Sequence, residues 1–217
     1  MTFWSDVAAY GPGFLEAAWL VLWLTVLTIV LSWICGLAAA LAQRSDLAVV
    51  RAVAAFYIWF IRGTPALIQI FIIYFGMPQL GIRLSPFAAG VIALGVNSGA
   101  YVAEIVRSGL SAIPRGQTES ALAMGFSPAE TMRTVILPQV FRIILPPITN
   151  EAISVLKNTS LLSTITVVEL TLYAQTLISA TFRPFDFYIA VAVIYLVLTS
   201  ILTQLAAWLE RRYSRLS

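Results

Sequence analysis

Apolar residues fill long runs along this chain, and the few polar ones interrupt those runs at helical intervals. A helix of roughly 20 apolar residues is long enough to cross a bilayer. The runs predict one span over 14–42, ending at AQRSD, and a second over 52–76, interrupted by RGTP. A third covers 87–106, a fourth and more polar one starts near Ile143, and a fifth covers 187–209, ending at ERRYSR. The expected fold is therefore an all-α, integral membrane bundle of five helices. It is read as one transmembrane domain over 1–217, with a cytoplasmic loop at about 108–141.

Orientation follows the distribution of basic residues between loops. The N-terminal stretch, up to the first residues of the first span, has Asp6 and Glu16 and no basic residue. The first loop carries Arg44 and Arg51, the second only Arg83, and the third Arg107, Arg115, Arg133 and Arg142. The fourth connection has Arg183, and the C-terminal tail has Arg211, Arg212 and Arg215. Rich and poor loops alternate, which places the N-terminus outside and the C-terminus in the cytoplasm. The N-terminal stretch MTFWSDVAAYGPGF has no positive n-region and does not read as a cleavable signal peptide.

Composition agrees with a membrane setting: 60% of residues are hydrophobic and 11% charged. The net charge of +3 comes from scattered basic residues, which argues against a nucleic-acid partner. A single cysteine, Cys35, excludes an internal disulfide, and the absence of histidine removes the commonest base and metal ligand. No metal site and no catalytic residue is expected. An intramembrane protease finds neither a histidine base nor a pair of membrane aspartates here.

The polar positions inside the spans carry the candidate chemistry. Asn97, Tyr101 and Glu104 lie at i, i+4 and i+7 and so share one helix face, continued by Ser108. An ionisable group at the bilayer centre costs roughly 2.5–3.5 kcal/mol on insertion scales, so it should face a cavity or a partner. In the fourth span, Asn150, Ser154 and Lys157 share a face, and Glu151 lies on a neighbouring one. A structural alternative stands beside a passage-lining role: Asn and Ser can bond between helices. Glu104 or Glu151 could then pair with Lys157, Arg107 or Arg62. Glu169 is expected near the outer surface. At FIRGTP, Thr64 is a candidate N-cap and Pro65 a first helical residue, so the break reads as a new helix start, a kink or an elbow.

Between spans three and four the pattern is short helix, turn, short helix. Residues 117–124 form the first, with Gly125 as its stop. Ser127-Pro128-Ala129-Glu130 matches a capping box, and the second helix is expected to end before Pro138. Ala121, Leu122, Met124 and Phe126 would give this knob an apolar surface suited to docking.

That loop, ESALAMGFSPAETMRTVILPQ, resembles the signature loop of permease subunits in type I ABC importers, with Glu119, Ala121, Gly125, Ile136, Leu137 and Pro138 in place. Ser120 stands where the family usually has alanine. The stretches FIRGTPALIQIFIIYFG, NSGAYVAEIVRSGLSAIPRGQ and LPPITNEAISVLKNTSLLSTITVVEL are similar to the polar amino-acid subfamily. The resemblance implies a five-helix core and a bacterial inner-membrane location. It also implies a second permease subunit, two cytoplasmic ABC ATPases and an extracytoplasmic solute-binding protein. The loop helix at about 118–132 would couple to the ATPase, with Glu119, Ala121 and Gly125 at the joint. Substrate-binding candidates carried over are Asn97, Tyr101, Glu104, Glu151 and Ser154, for a polar or basic amino acid. The chain has no G-x-x-x-x-G-K-[ST] loop, so ATP and Mg belong on the partner ATPases, and this chain binds no cofactor. A channel or a secondary carrier without an ATPase is the competing reading.

Overall fold

The computed structural model describes residues 3–214, and these residues are almost entirely helical. Helix α1 (Phe3–Ala42) is followed by α2 (Ala48–Gly63) and α3 (Ala66–Phe71). From α3 the chain widens into a π turn (Ile72–Gly76) and tightens into a 3₁₀ turn (Met77–Leu80). Helix α4 (Pro86–Ser111) leads to the short α5 (Arg115–Ala123) and α6 (Pro128–Glu130), and a π segment (Thr131–Ile136) joins α6 to α7 (Leu137–Asn158). A 3₁₀ stretch (Thr159–Ile165), α8 (Leu170–Thr181) and α9 (Pro184–Ser214) complete the order.

Among the described residues, three helices are long and apolar enough to cross a membrane: Ala8–Ala42, Pro86–Ser111 and Pro184–Arg212. The described residues hold five candidate spans if two bent pairs each count as one. Helix α4 is the centre of the bundle: 67% of its apolar window is buried, against 11% for α9. Small residues make this possible. Ala89, Ala93, Ser98, Gly99, Ala100 and Ala103 line α4 and are almost wholly buried, and α1 packs along them. At Gly99 the approach is closest. An added Cβ would lie 2.7 Å from Cys35 Cβ and 3.3 Å from the Ser32 carbonyl oxygen. Small residues let membrane helices touch backbone to backbone, where dispersion replaces the missing hydrophobic drive.

The outward faces are the reverse. Trp19, Trp23, Val30, Ile34 and Leu41 on α1, and Val193, Leu196, Ile201 and Trp208 on α9, are exposed. In water such faces would be an aggregation hazard, whereas in lipid they are the solvent-matched surface.

The second apolar run breaks at RGTP as expected, and Ala48–Gly63 and Ala66–Leu80 meet there at 112°. Two other expectations, the Thr64 cap and the helix end before Pro138, are corrected. Pro65 lacks an N–H, and proline disfavours helical backbone at the residue before it. Thr64 is accordingly extended, with φ −123° and ψ 147°. Thr64 does not cap α3, whose N-cap position is Pro65. Its hydroxyl instead donates to the Phe60 carbonyl at 2.9 Å, closing the end of α2. The helix after Ser127 also does not stop before Pro138. In the π segment the Leu137 N–H donates to the Met132 carbonyl, five residues back. That wider turn sits just ahead of Pro138, at the first turn of α7, where a missing N–H costs little.

Candidate functional site

Helix α4 distributes its polar side chains over two neighbouring faces. Asn97, Tyr101 and Glu104 point to the break between α2 and α3, and Ser98 points to α7. The break is held from inside by Gln69. Its Nε2 donates to the Ile61 carbonyl (2.8 Å), the Thr64 carbonyl (3.1 Å) and the Thr64 hydroxyl (2.7 Å). One side chain thus satisfies carbonyls that the helix end leaves without partners. Its remaining oxygen accepts from Asn97 Nδ2 at 3.0 Å. Asn97 is only 7% exposed, so its amide serves this lock between α4 and α3.

One turn further, Arg62 at the end of α2 reaches back over α4. Its guanidinium carbon lies 5.7 Å from the centroid of the Tyr101 ring, and its Nη1 lies 3.8 Å from Glu104 Oε2. Arg107 grips the same carboxylate with two nitrogens, Nε at 3.0 Å from Oε2 and Nη2 on Oε1. Two cations, one carboxylate and one aromatic face are gathered at one place, with Glu104 23% and Arg62 43% exposed at the side chain. A bidentate Arg–carboxylate pair has fixed geometry and is among the stronger polar contacts. The cluster therefore has a set orientation and a partly open cation.

Glu151 on α7 belongs to a second group. Its Oε1 accepts from the Ser98 hydroxyl at 2.8 Å, joining α7 to α4. Ser154, half-buried one turn on, donates to the Asn150 carbonyl of its own helix at 3.0 Å. Lys157 is exposed. Among the pairings the sequence allowed, Glu104 with Arg107 and Arg62 forms, and Glu151 takes a serine instead of a cation.

Glu169 is turned into the protein. It is fully buried and caps α8, accepting from the backbone N–H of Thr171 (2.9 Å) and Leu172 (3.0 Å) and from the Tyr195 hydroxyl (2.9 Å). The VVELT stretch disguised it, because an N-cap that also meets a distant tyrosine has no local signature. Gln69 did leave a signal, as the one polar residue in ALIQIF. Arg107 was open to the sequence as an i,i+3 partner of Glu104, whereas Ser98, beside the expected stripe, acquires its role only from packing.

The loop after α4 folds as a capped knob. At the end of α5, the Gly125 N–H donates to the Leu122 carbonyl (3.0 Å) and the Phe126 N–H to the Ala121 carbonyl (3.2 Å). These are the two bonds of a Schellman cap, whose left-handed position is Gly125 at φ +90°. The capping box at Ser127 and Glu130 is complete in both directions. Those hydrogen bonds from the Ser127 hydroxyl and N–H hold the exposed Glu130 carboxyl below its ordinary pKa. Glu119, Leu122 and Met124 are exposed, and Ala121, expected on the surface, is buried instead. Its small side chain is the point where α5 packs down onto the following π segment.

A helical bundle with an exposed, double-capped loop between its central helices is the architecture of a type I ABC permease. One solved chain, from the crystal structure of an amino acid ABC transporter with histidines, superposes with a TM-score of 0.92 at 42% identity, covering 98% of this chain and 99% of that one. A chain of the inward-facing methionine transporter MetNI superposes at 0.75 with 19% identity, covering 92% of this chain and 95% of that one, a likeness of fold alone. The glutamine transport system permease protein GlnP of Escherichia coli (strain K12) is 40% identical over 211 residues, 96% of each chain. The model of the binding-protein-dependent transport system inner membrane component matches residues 29–215, and this chain belongs to that family. It is an integral membrane permease subunit of an ABC transporter and not an enzyme.

Proposed function

We propose that this chain, with a second permease subunit, forms the pathway of an ATP-driven importer for a polar, zwitterionic amino acid in a bacterial inner membrane. The observation that carries this reading is the Arg62–Tyr101–Glu104–Arg107 cluster on the central helix. A free amino acid presents a carboxylate and an ammonium on one carbon. Arg62 is the cation for the first and Glu104 the acceptor for the second, with the Tyr101 ring beside them. Two arginines offset Glu104, so the cluster does not favour an extra cationic side chain on the cargo. Asn97 holds the α2–α3 break in place, and Glu151 and Ser154 extend the polar lining along α7. The names of relatives that carry glutamine and other amino acids point the same way.

In this reading the N-terminus is outside and the C-terminus cytoplasmic, which puts the arginine-rich loops inside. The chain at 108–141 then projects into the cytoplasm as the coupling segment. Two partner ATPases carry ATP and Mg, and their closure pushes the α5 knob through Glu119, Leu122 and Met124. The capped turn at Gly125 and Ser127 makes the knob stiff enough to transmit that displacement. The bundles then rock from inward- to outward-facing. A solute-binding protein delivers the amino acid to the opened side, and hydrolysis resets the inward state.

The test is Glu104→Gln in the purified complex, with uptake of labelled glutamine, arginine and glutamate and ligand-stimulated ATP hydrolysis as readouts. A hydrogen bond to a charged group contributes about 1.5–3 kcal/mol, so glutamine uptake should fall about tenfold or more. Unchanged uptake and selectivity would remove the carboxylate from the site. Glu119→Lys addresses the knob separately. It should leave ligand binding intact and abolish ligand stimulation of the ATPase, and preserved stimulation contradicts the coupling role.

A further inference from the structure

The end of α1, the first half of α2 and the last turns of α4 enclose a cleft of about 440 Å³. Its polar wall is Gln43, Arg44, Arg51, Arg107 and Ser111, and Ala40, Ala55 and Leu110 supply the apolar part. Arg51 donates to the Ser45 and Asp46 carbonyls at 2.8 and 2.9 Å, which fixes its guanidinium at the rim. Arg107 is turned toward Glu104. The Arg44 side chain has no protein partner among the described residues, and Gln43 Oε1 is a buried acceptor that the chain leaves unpaired, a place for a ligand's hydroxyl and not for its phosphate oxygens. Asp46 is the acidic residue of the adjoining loop, so positive charge is in excess. Beside the cleft, Leu41 and Val49 are 70% and 75% exposed, an apolar surface along which an acyl chain can lie.

We propose that this cleft holds the phosphodiester of an anionic phospholipid of the phosphatidylglycerol type. A basic pocket between helix ends, opening beside a lipid-matched surface, suits a molecule that is anionic at one end and apolar at the other. Soluble phosphate matches only the first half, and an acidic peptide leaves the apolar flank bare. The leaflet assigned is the cytoplasmic one, which rests on the orientation proposed above.

The experiment uses the intact permease–ATPase complex in nanodiscs of phosphatidylethanolamine with phosphatidylglycerol or phosphatidylcholine. Co-purified lipid is counted by native mass spectrometry after release. Phosphatidylglycerol should be retained in preference to phosphatidylcholine. Arg44→Gln with Arg51→Gln should reduce that preference about 30-fold, from the contribution of each basic side chain near a membrane surface. Arg44→Lys with Arg51→Lys should keep most of it. If the double glutamine variant does not fold, Arg44→Gln alone is read, with a reduction of about fivefold. Equal retention of both lipids, an unchanged preference in the glutamine variants, or displacement of the lipid by inorganic phosphate overturns the proposal. Labelling of Asp46→Cys in a Cys35→Ala background by an impermeant maleimide tests orientation separately. Labelling from outside, with phosphatidylglycerol still retained, sinks the leaflet and not the site.

Discussion

Replacing Gly99 by alanine is expected to destabilise the protein, although alanine is the better helix former by about 0.5–1 kcal/mol. The added Cβ would sit 2.7 Å from Cys35 Cβ, 2.9 Å from the Tyr57 hydroxyl and 3.3 Å from the Ser32 carbonyl oxygen. The tyrosine oxygen can swing away, at the expense of its 2.6 Å bond to the Val96 carbonyl. Cys35 Cβ is rigidly tied to the α1 backbone and cannot. For ordinary contact, α1 must therefore retreat by roughly 0.7 Å over this turn. Overpacking of this kind costs about 1–3 kcal/mol, so the net loss should be about 1–2 kcal/mol. The assay is equilibrium unfolding of the reconstituted complex, followed by helicity and by tryptophan emission. Cys35→Gly should destabilise alone, yet combined with Gly99→Ala it should recover part of the loss, because the Cβ has only moved across the seam. Such coupling is the sign of direct contact. A Gly99→Ala protein as stable as the parent, or one that Cys35→Gly does not improve, refutes the close approach.

Three further outcomes follow from other contacts. Gln69→Leu removes the donor to Ile61 and Thr64 and leaves Asn97 unpaired, so stability should fall by about 1–3 kcal/mol. The same unfolding assay reads it, and Asn97→Leu in addition should cost much less than a second such loss. Gly125→Ala forces a left-handed backbone on a residue with a Cβ and should cost about 1–2 kcal/mol locally. Faster amide exchange at Phe126 and Gly125, and weaker ligand stimulation of the ATPase, would register it. Ser127→Ala should loosen the start of α6 by about 0.5–2 kcal/mol. Because Glu130 has a lowered pKa when folded, its part of the cap is complete above the unfolded carboxyl value of about 4.3 and disappears as pH falls through the folded one. Amide exchange at Glu130, corrected for its intrinsic pH dependence, should accelerate over that range in the parent and show a smaller step in Ser127→Ala, which keeps only the backbone N–H bond to the carboxylate.

Much of the fold was legible because lipid makes a harsh demand: each crossing must satisfy its own backbone bonds, so length and apolarity identify it. The runs over α1, α4 and α9 were therefore readable to within a few residues at most of their ends. The knob was readable too, since Gly125 and the Ser127–Glu130 pair are local devices acting within a few residues. The RGTP break was visible as a break, but its 112° angle was not. That angle depends on Gln69 reaching back to carbonyls up to eight residues earlier. Pro138 misled, because the rule that helices end before proline assumes an α-helical turn, and here a π turn precedes it.

The sequence by itself determined the membrane class, the polar stripe on α4 and the chemistry of the loop, because periodicity and capping act over one or two turns. The tertiary structure alone decided the distant partners: Asn97 with Gln69, Ser98 with Glu151, Glu104 with Arg62 beside its own-helix neighbour Arg107, and Glu169 with Tyr195. A side chain's charge and its place on a helix face are local properties. Which group it meets depends on how closely α1, α2 and α7 approach α4, and that distance is set by packing along the small residues of the seam.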